Sequence, residues 1–459
     1  MIKRIGKLLI LCGLIGTFIS CESLLEVQDP SRFTDSDLDQ ALEAVARGTE
    51  GMLQLSHDYY VNVEEILSDV YSHTGTWAGW DDLDHGLMTW DVPQSDGGDD
   101  YLEARYAAID ARARFDRLAA EGQTVSPLLY AQVEATEAWA NLLVGMHACE
   151  GVGDPTFPDW PDLSTYEYAT LLTDMGMYQL AVDKFTTAIA TAQAAGDTEH
   201  ERWATAGRAR ANLLLSNYAA ALTDAQAIPD GWVYEAIYDQ ATSGNYIVSI
   251  STFGYNHASG IRHWLVPRVD DVTHLLRDAY TNEPDPRVPI YHEPGTLGVD
   301  GVTEYYSQWK YNPSTGGESS NIPITHSEEM RLIEAEVHWR QGNLAQAVTV
   351  LNGLRAAAGL TAVTATTSQE VFDLLLNERF AELYMEGQRF LDIHRFGLAA
   401  QYIASGHFLG GTPPRDSEPV RPTKFPFSDA EALNNPNIEP NSSQRCLFTS
   451  AMAPPQPPS

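Results

Sequence analysis

The chain has 459 residues, enough to bury a large hydrophobic core as one sizeable domain or two closely packed ones. Its 63 acidic residues outnumber its 28 lysines and arginines, which gives a formal net charge of −35 at pH 7. A chain this acidic is a poor partner for nucleic acid, so we exclude nucleic-acid binding, while the sign of the charge identifies no particular ligand.

The first 20 residues have the pattern of a lipoprotein signal peptide. A basic start precedes an apolar run from Leu8 to Ile19, which is too short for an ordinary transmembrane helix, and the small residue Ser20 stands just before Cys21. We therefore predict that Cys21 becomes the lipidated N-terminus and that residues 21–34 form a tether. Three basic residues leave with the peptide, so the mature chain would carry −38. The alternative is an ordinary secretory peptide that is cut elsewhere and leaves Cys21 as a thiol.

No other segment is long and apolar enough to cross a bilayer, so a lipid-held body in the periplasm or on the cell surface is expected. Residues 35–55 have apolar side chains mostly three or four positions apart. This spacing predicts an amphipathic helix that bends or pauses at Gly48 and Gly51.

Residues 57–106 show little periodicity and are rich in Asp, Gly and Trp, which predicts a long ordered loop region. Tryptophan rings offer flat apolar faces for a sugar, and polar side chains at their edge can bind its hydroxyls. The ligand-binding candidates here are Trp77, Trp80, Trp90, Asp81, Asp82 and Gln94. Alternatively, one or two of the tryptophans simply fill the core beneath the loops. The aspartates do not have EF-hand spacing, and we predict no metal site.

An internal repeat covers about residues 127–228 and returns at about 325–397. Three alanines, taken as the small residues of first helices, are each followed by another alanine in the next helix at the same spacing: Ala169 and Ala181, Ala209 and Ala221, Ala335 and Ala347. This is the spacing of tetratricopeptide helix pairs, and a further helix over residues 127–147 is expected to pack before the first pair. The predicted fold is therefore mainly α, a tetratricopeptide-like scaffold of helical pairs.

Residues 229–324 form a long insertion that is rich in Pro, Gly, Tyr and Trp. We predict an irregular region with short β segments at residues 246–252 and 264–267. The insertion supplies a second set of ligand-binding candidates: Trp264, Tyr306 and Trp309. Both irregular regions can lie on one side of the helical scaffold, where loops on rigid elements commonly carry binding sites.

Three helices are predicted between residues 325 and 397. Capping-box spacing marks two of their starts, at Thr325 with Glu328 and at Thr367 with Glu370. The first two helices are expected to end near Gly342 and Gly359.

Charges of opposite sign share one face of the third helix, at Arg379, Glu382, Glu386 and Arg389. Carboxylates at this spacing are compatible with acid/base catalysis, but alternating Arg and Glu more often form a structural ion network. We predict such a network and assign no catalytic residue.

These helices carry motifs that resemble the SusD/RagB family of outer-membrane nutrient-binding lipoproteins. The closing motif follows the family's order and spacing at Glu378, Arg379, Glu382, Leu383, Glu386, Gly387, Arg389, Asp392 and Arg395. An earlier one matches at Ile322, Pro323, Glu329, Leu332, Ala335 and Glu336, with His326 where the family usually has Arg. Further resemblances are Asp285-Pro286-Arg287, Lys424-Phe425-Pro426-Phe427 and Asn435-Pro436-Asn437.

The resemblance implies a non-enzymatic, surface-exposed outer-membrane lipoprotein whose residues 35–459 form a single α-helical domain. It implies that the protein captures an oligosaccharide, or sometimes a peptide, and delivers it to a TonB-dependent, SusC-like transporter barrel over which it closes as a lid. We predict no cofactor.

Two other classes of function stay open. A tetratricopeptide-type scaffold would bind protein partners along its concave helical face. A glycoside hydrolase needs only two carboxylates, which the chain has in excess, although no GxSxG, HExxH, Walker A or CxxC motif is present.

Two cysteines of the mature chain, Cys149 and Cys446, remain once Cys21 is lipidated. An exported protein meets oxidising conditions, so these two are candidates for a disulfide that pins the C-terminal tail to the helix near His147. Two separate buried thiols are the alternative.

Overall fold

The computed structural model describes residues 34–84, 97–155, 167–252, 254–404, 424–425 and 435–437. By its contacts the chain divides into a small unit, Met1–Val45, and a large one, Ala46–Ser459. The described part of the small unit contains a short helix that opens with a capping box between Thr34 and Asp37. The large unit holds the helical stack, the sheets and the candidate site.

The fold is mainly α-helical, as predicted, and its strands are few and mostly short. The helices are α1 (Asp35–Asp39), α2 (Leu42–Leu55), α3 (His57–Leu67), α4 (Ala78–Asp84), α5 (Gly97–Ala120), α6 (Pro127–His147), α7 (Asp174–Ala195), α8 (Thr198–Leu214), α9 (Tyr218–Ala227), α10 (Tyr246–Ser251), α11 (Ser327–Arg340), α12 (Leu344–Ala357), α13 (Ser368–Glu382), α14 (Arg389–Arg395) and α15 (Ala399–Ala404). The predicted break at Gly48 and Gly51 is wrong, because both lie inside α2 and the chain breaks at Gln40 instead.

All paired strands are antiparallel. They are β1 (Tyr71–His73), β2 (Glu150–Val152), β3 (Leu171–Thr173), β4 (Val233–Ala236), β5 (Ser259–Ile261), β6 (Val269–Asp270), β7 (Leu275–Arg277), β8 (Pro284–Leu297), β9 (Glu304–Gln308) and β10 (Ile322–His326). β1 pairs with β5, β2 with β3 and β4 with β10, while β6 to β9 form one four-stranded sheet in chain order. The long hairpin of β8 and β9 is the largest β element of the insertion.

The helical stack runs through α5, α6, α7, α8, α9, α11, α12 and α13, with each helix packed on its neighbours. Ala209, Ala221, Ala335 and Ala347 are fully buried in α8, α9, α11 and α12, as the repeat predicted. The assignment of Ala169 to a first helix is wrong, because it lies just before β3. α6, predicted at its observed bounds and capped by Ser126, is instead the helix that precedes and contacts α7.

The stretch from His57 onward was predicted as a loop, but it begins with α3, and this prediction is wrong. Every residue of α3 except Tyr59 is buried, so the helix has no solvent face to give it an amphipathic period. Its polar side chains are matched by distant groups: Asp58 Oδ2 accepts from Tyr246 N at 2.6 Å, and Glu65 Oε1 accepts from Gly387 N at 3.0 Å. Gly97–Tyr106, also predicted as loop, belongs to α5.

The two β segments predicted in the insertion are wrong as well. Residues 246–251 form α10, because the side chain of Asn245 caps the backbone N–H of Val248 and starts a helical turn. Residues 264 and 265 lie in a turn, and residues 266 and 267 belong to a short 3₁₀ helix, Val266–Arg268. The β structure lies instead in β5 to β9.

The junction between β10 and α11 replaces one predicted capping box with an ion cluster. Thr325 lies in β10 and donates to Glu329, so its predicted box with Glu328 is wrong, whereas the box of Thr367 and Glu370 is confirmed on α13. His326 is buried between two carboxylates, with Nε2 2.9 Å from Glu386 and Nδ1 2.9 Å from Glu328.

Burial alone would lower the pKa of His326, but the carboxylates of Glu386 and Glu328 raise it to about 10. Burial likewise opposes ionisation of Glu386, but His326 and Lys310 lower the pKa of Glu386 to about 2. At neutral pH the imidazole is therefore a cation and occupies the place of the arginine that the family motif usually has.

The four residues predicted as an ion network on one helix face do not pair with one another, and α13 ends at Glu382. Glu382 bonds instead to Arg287, Glu386 to Lys310 and Arg379 to Asp392. A buried ion network does exist around the same helix. Arg287 bonds to Glu378 and Glu382, each at 2.7 Å, and Arg355 bonds to the other oxygen of Glu378 at 2.7 Å and to Asp278 at 2.8 Å. Side chains of Arg355, Asp278 and Glu378 have no exposed area. These ionised groups are buried and mutually bonded, which is the structural role that we predicted.

The C-terminal motifs anchor the tail to the helical stack. Lys424 Nζ donates to Gly145 O at 2.7 Å and to Tyr178 Oη at 2.6 Å, and it pairs with Asp174 at 2.8 Å. The neighbouring Phe425 ring stacks on His147 with centroids 4.3 Å apart. Lys424 and Phe425 are therefore buried in contact with both α6 and α7.

Candidate functional site

The β8–β9 hairpin organises the aromatic residues that the sequence singled out. Cross-strand partners are Ile290 with Gln308, and His292 with Tyr306. At the far end of the hairpin the chain turns through residues 298–303, and this turn packs on the segment that precedes α4.

Three hydrogen bonds fix that contact. Thr74 Oγ1 donates to His257 O at 2.6 Å, Asp300 N donates to Thr74 O at 2.7 Å, and Val299 N donates to His257 O at 3.2 Å. A Cβ on Gly298 would lie 2.6 Å from the Thr74 side chain, so only glycine permits this approach. The hairpin turn, the Thr74 segment and the loop before β5 thus hold one another in place.

Trp77 stands at this junction with 48% of its surface exposed. The hairpin and the loop before β5, which are bonded to the Thr74 segment, also carry exposed apolar side chains: Tyr255, Leu297, Val299 and Val302. A flat indole on a hydrogen-bonded backbone is a surface on which the C–H face of a sugar can rest.

Trp80, three residues along, has the opposite environment. It is 3% exposed, and its ring lies 5.4 Å from Tyr59 and 6.1 Å from Tyr246. Trp80 therefore fills the core beneath the loops, which was the alternative to ligand binding in the sequence analysis. Asp81 and Asp82 are half-buried in the same helix. Trp90 and Gln94 lie outside the described residues.

Tyr306 stacks on its cross-strand partner His292, with ring centroids 3.9 Å apart and planes 11° from parallel. His292 is held between Asp271 at 3.2 Å and Glu304 at 3.0 Å, and both carboxylates are more than half exposed. Burial first, and then the charges of Glu304 and Asp271, raise the pKa of Tyr306. The phenol therefore stays a hydrogen-bond donor beside two accessible carboxylates.

Trp309 forms a separate cluster through Tyr291, the residue next to His292 on β8. Its ring stacks on Tyr291 with centroids 4.6 Å apart, and His274 lies 4.6 Å from the same tyrosine. The backbone N–H of Trp309 donates to Pro289 O at 2.9 Å. The sequence analysis named neither Tyr291 nor His292. Buried and partly buried residues alternate along β8 from Val288 to His292, and this alternation could have placed the two side chains on opposite faces of the strand.

Trp264 belongs to neither of these ring pairs. Its indole N–H donates to Asp69 O at 2.5 Å, and its ring lies beside Phe380 and the guanidinium of Arg389. The second predicted set is therefore distributed over three places, and only Tyr306 and Trp309 share the hairpin.

Cys149 is disulfide-bonded. Its predicted partner, Cys446, lies outside the described residues, as does Cys21, so both assignments stay predictions. Within the described ranges, no group of three His, Cys, Asp or Glu side chains could hold a metal ion. No helix in the described part of the chain is both long enough and apolar enough to cross a membrane.

The SusD family matches this chain over residues 294–437. A SusD superfamily protein from Bacteroides vulgatus has the same fold with a TM-score of 0.67 and 14% identity, over 88% of this chain and 99% of the other. A SusD-like carbohydrate binding protein from the same organism gives 0.65 and 14%, over 87% and 97%.

Surface glycan-binding protein A from Bacteroides uniformis gives 0.65 and 14%, over 87% and 99%. No curated protein matches the sequence significantly. The predicted resemblance to the SusD/RagB family is confirmed, and identities this low carry the similarity of fold alone.

Proposed function

We propose that this chain is a lipid-anchored outer-membrane protein that captures an oligosaccharide at the cell surface and delivers it, without chemical change, to a TonB-dependent, SusC-like transporter. The match to the SusD family and the SusD-like fold support this proposal. So does the similarity to solved structures that are described as carbohydrate-binding or glycan-binding.

The observation that carries the proposal is the exposed indole of Trp77. Large aromatic rings are normally buried, and here one is held half exposed on a segment fixed by the Thr74 hydrogen bonds. A rigid ring loses little conformational entropy on binding, so it suits a neutral ligand that offers a C–H face. The carboxylates of Asp271, between β6 and β7, and of Glu304, on β9, flank His292 and add acceptors for sugar hydroxyls.

Glycan-array binding with the soluble form that begins at Glu22, followed by calorimetry on the best neutral hit, tests the proposal. Trp77→Ala should weaken binding by on the order of tenfold, about 1.4 kcal/mol or more, without changing the melting temperature. Leu128→Ala is the matched control, because this side chain has the same exposed fraction, 48%, and lies in the first turn of α6, outside the Thr74 segment and the hairpin. Full affinity in Trp77→Ala would remove this ring from the site, and no binding to any glycan would refute the function.

Salt separates a saccharide from a peptide ligand. Stacking and neutral hydrogen bonds are weakly screened, whereas a cationic peptide drawn to the acidic surface is released at high ionic strength. Release of reducing ends from a bound polysaccharide would favour the hydrolase alternative. Binding of protein partners that is lost on changing the helical stack, but not Trp77, would favour the scaffold.

The anchor and the transporter need their own tests. In a strain without the transporter gene, the lipid on Cys21 is the remaining attachment of the wild-type protein to the membrane. Cys21→Ala protein, which cannot carry the lipid, should therefore be lost from the membrane fraction of that strain. Retention at the native level under those conditions would refute lipidation at Cys21. Copurification of a transporter barrel with the intact protein in mild detergent would support delivery to it.

A further inference from the structure

A groove beside α13 has no part in the Trp77 surface or the hairpin. Its volume is about 440 Å³, which is in the range of small-molecule sites. Aromatic rings and polar side chains share the lining, among them Trp264, Phe372, Phe380, Asn377, Arg268 and Arg389. A groove with ring faces and separate polar edges has the composition of a ligand site.

Arg389 is the unusual member. Its guanidinium carbon lies 5.3 Å from the Trp264 ring, 4.9 Å from Phe380 and 5.5 Å from Tyr402, within cation–π range of all three. It makes no ion pair or side-chain hydrogen bond with any residue that the structure describes, and its Nε is buried without a partner. The sequence analysis placed Arg389 in the ion network, and this placement is wrong.

This isolation contrasts with the arginines nearby. Arg355, Arg287 and Arg395 each bond to two or more carboxylates, in a chain with 63 acidic residues and only 28 lysines and arginines. Arg389 is unpaired within the described residues although the chain is rich in acids, and three rings keep it in place. Its planar guanidinium therefore retains hydrogen-bond donors for an external acceptor.

Arg268 adds a second cation to the groove. Its guanidinium donates to the backbone carbonyl of Arg277, at 3.0 Å from Nε, and has no carboxylate within ion-pair distance among the described residues. Burial lowers the pKa of Arg268, and bulk water therefore does not fully solvate this charge.

Acids near the groove offset part of this charge. Asp373 lines the groove and accepts from Gln369 at 2.8 Å. Asp278 and Asp285 lie within electrostatic range of Arg268. Glu65 lies within electrostatic range of Arg389 but is not paired with it, and burial raises the pKa of Glu65 to about 7, so it is only partly ionised at neutral pH. The guanidinium of Arg389 is therefore the group in the groove that favours an anionic ligand.

We propose that this groove binds a carboxylate-bearing saccharide, with a uronate carboxylate on the guanidinium of Arg389 and a sugar face on the aromatic rings. The planar guanidinium fits a carboxylate through two parallel hydrogen bonds, and the rings fit the C–H face of a pyranose. Gln369 and Asn377 also line the groove, and because their amide nitrogens donate to nearby carboxylates, their amide oxygens are the groups that could accept from sugar hydroxyls. The inference rests on the proposed function, since both take a saccharide as ligand.

Calorimetry with a galacturonate trisaccharide and with its fully methyl-esterified form tests the proposal. The ester keeps the ring and removes the charge, so the wild-type protein should bind the acid at least about tenfold more tightly than the ester. Raising NaCl from about 0.05 M to about 0.5 M should weaken binding of the acid and leave the ester unchanged. Equal affinity for acid and ester, or no binding of either at this groove, would overturn the inference without any variant.

Variants then locate the carboxylate. Arg389→Gln should remove the preference for the acid, Arg389→Lys should restore part of it, and the matched control Arg277→Gln, which loses an arginine paired with Asp270 outside the groove, should leave it intact. A folded Arg389→Gln protein with the wild-type preference would refute the site. Binding of neutral glycans through Trp77 without any preference for uronates would overturn this inference alone, whereas a protein that binds no saccharide would overturn the proposed function as well.

Discussion

Replacing His326 by glutamine should destabilise the protein by about 3 kcal/mol near pH 7.5. A folded pKa of about 10, against 6.5 for the ordinary imidazole, means that the imidazolium stabilises the folded state by this amount at that pH. Glutamine cannot carry the charge, and it leaves Glu386 with Lys310 as its remaining cation.

The sign of the pH dependence follows from the raised pKa. The stabilisation is fully present below about pH 6.5 and is lost as the pH rises through about 10, so between about pH 7 and pH 9 the wild-type protein should lose about 2 to 3 kcal/mol of this contribution. His326→Arg, which restores the residue usual in the family motif, stays charged throughout and should not show this loss.

Urea denaturation of the wild type, His326→Arg and His326→Gln across this pH range measures the effect. Groups that titrate in all three proteins cancel in the difference between wild type and His326→Arg. We expect that difference to change by about 2 to 3 kcal/mol in favour of the arginine variant as the pH rises. A difference that stays constant with pH would mean that His326 is not held as a cation, and the argument would fail.

Three further predictions use the same protein. Trp80→Ala should cost about 3 to 5 kcal/mol of stability because the buried indole leaves a large cavity; an unchanged urea midpoint would place this ring outside the core. Arg355→Met should cost a similar amount, about 3 to 5 kcal/mol, because it strands two fully buried carboxylates, and the cost should shrink toward acid pH; a loss that is independent of pH would contradict this account. Thiol labelling of unreduced, denatured mature protein should leave Cys149 and Cys446 unmodified, and two labelled thiols would rule out their pairing.

Sequence patterns predicted helices that have a clear start and a long apolar run. α6 was located at its observed bounds because Ser126 and Pro127 mark its N-terminus and its apolar residues continue to His147. α3 was missed because it has no side-chain cap at Ser56 and because the polar groups in it have partners far away in sequence. Residues 246–251 have the β-branched composition of a strand, but the Asn245 cap and burial against α3 favour a helix.

The candidate site was predictable in residue type and not in arrangement. Trp77 and Trp80 stand three positions apart in similar sequence, and only packing makes one exposed and the other buried. The isolation of Arg389 has no sequence signal either, because an arginine in a motif full of acids is expected to be paired. It depends on where the neighbouring helix ends, and helix ends are the least certain part of any pattern.

The distant partners of α3 also constrain the order in which the protein can fold. Asp58 is satisfied by a backbone 188 residues downstream, and Glu65 by one 322 residues downstream. A chain that is still being synthesised and lacks Gly387 has no partner for that carboxylate, so the helix cannot be buried at a low free energy. Contacts this remote in sequence also make folding slow. We therefore expect the N-terminal part of the large unit to stay unfolded until nearly the whole chain is present. An unfolded chain of this kind is competent for transport across a membrane.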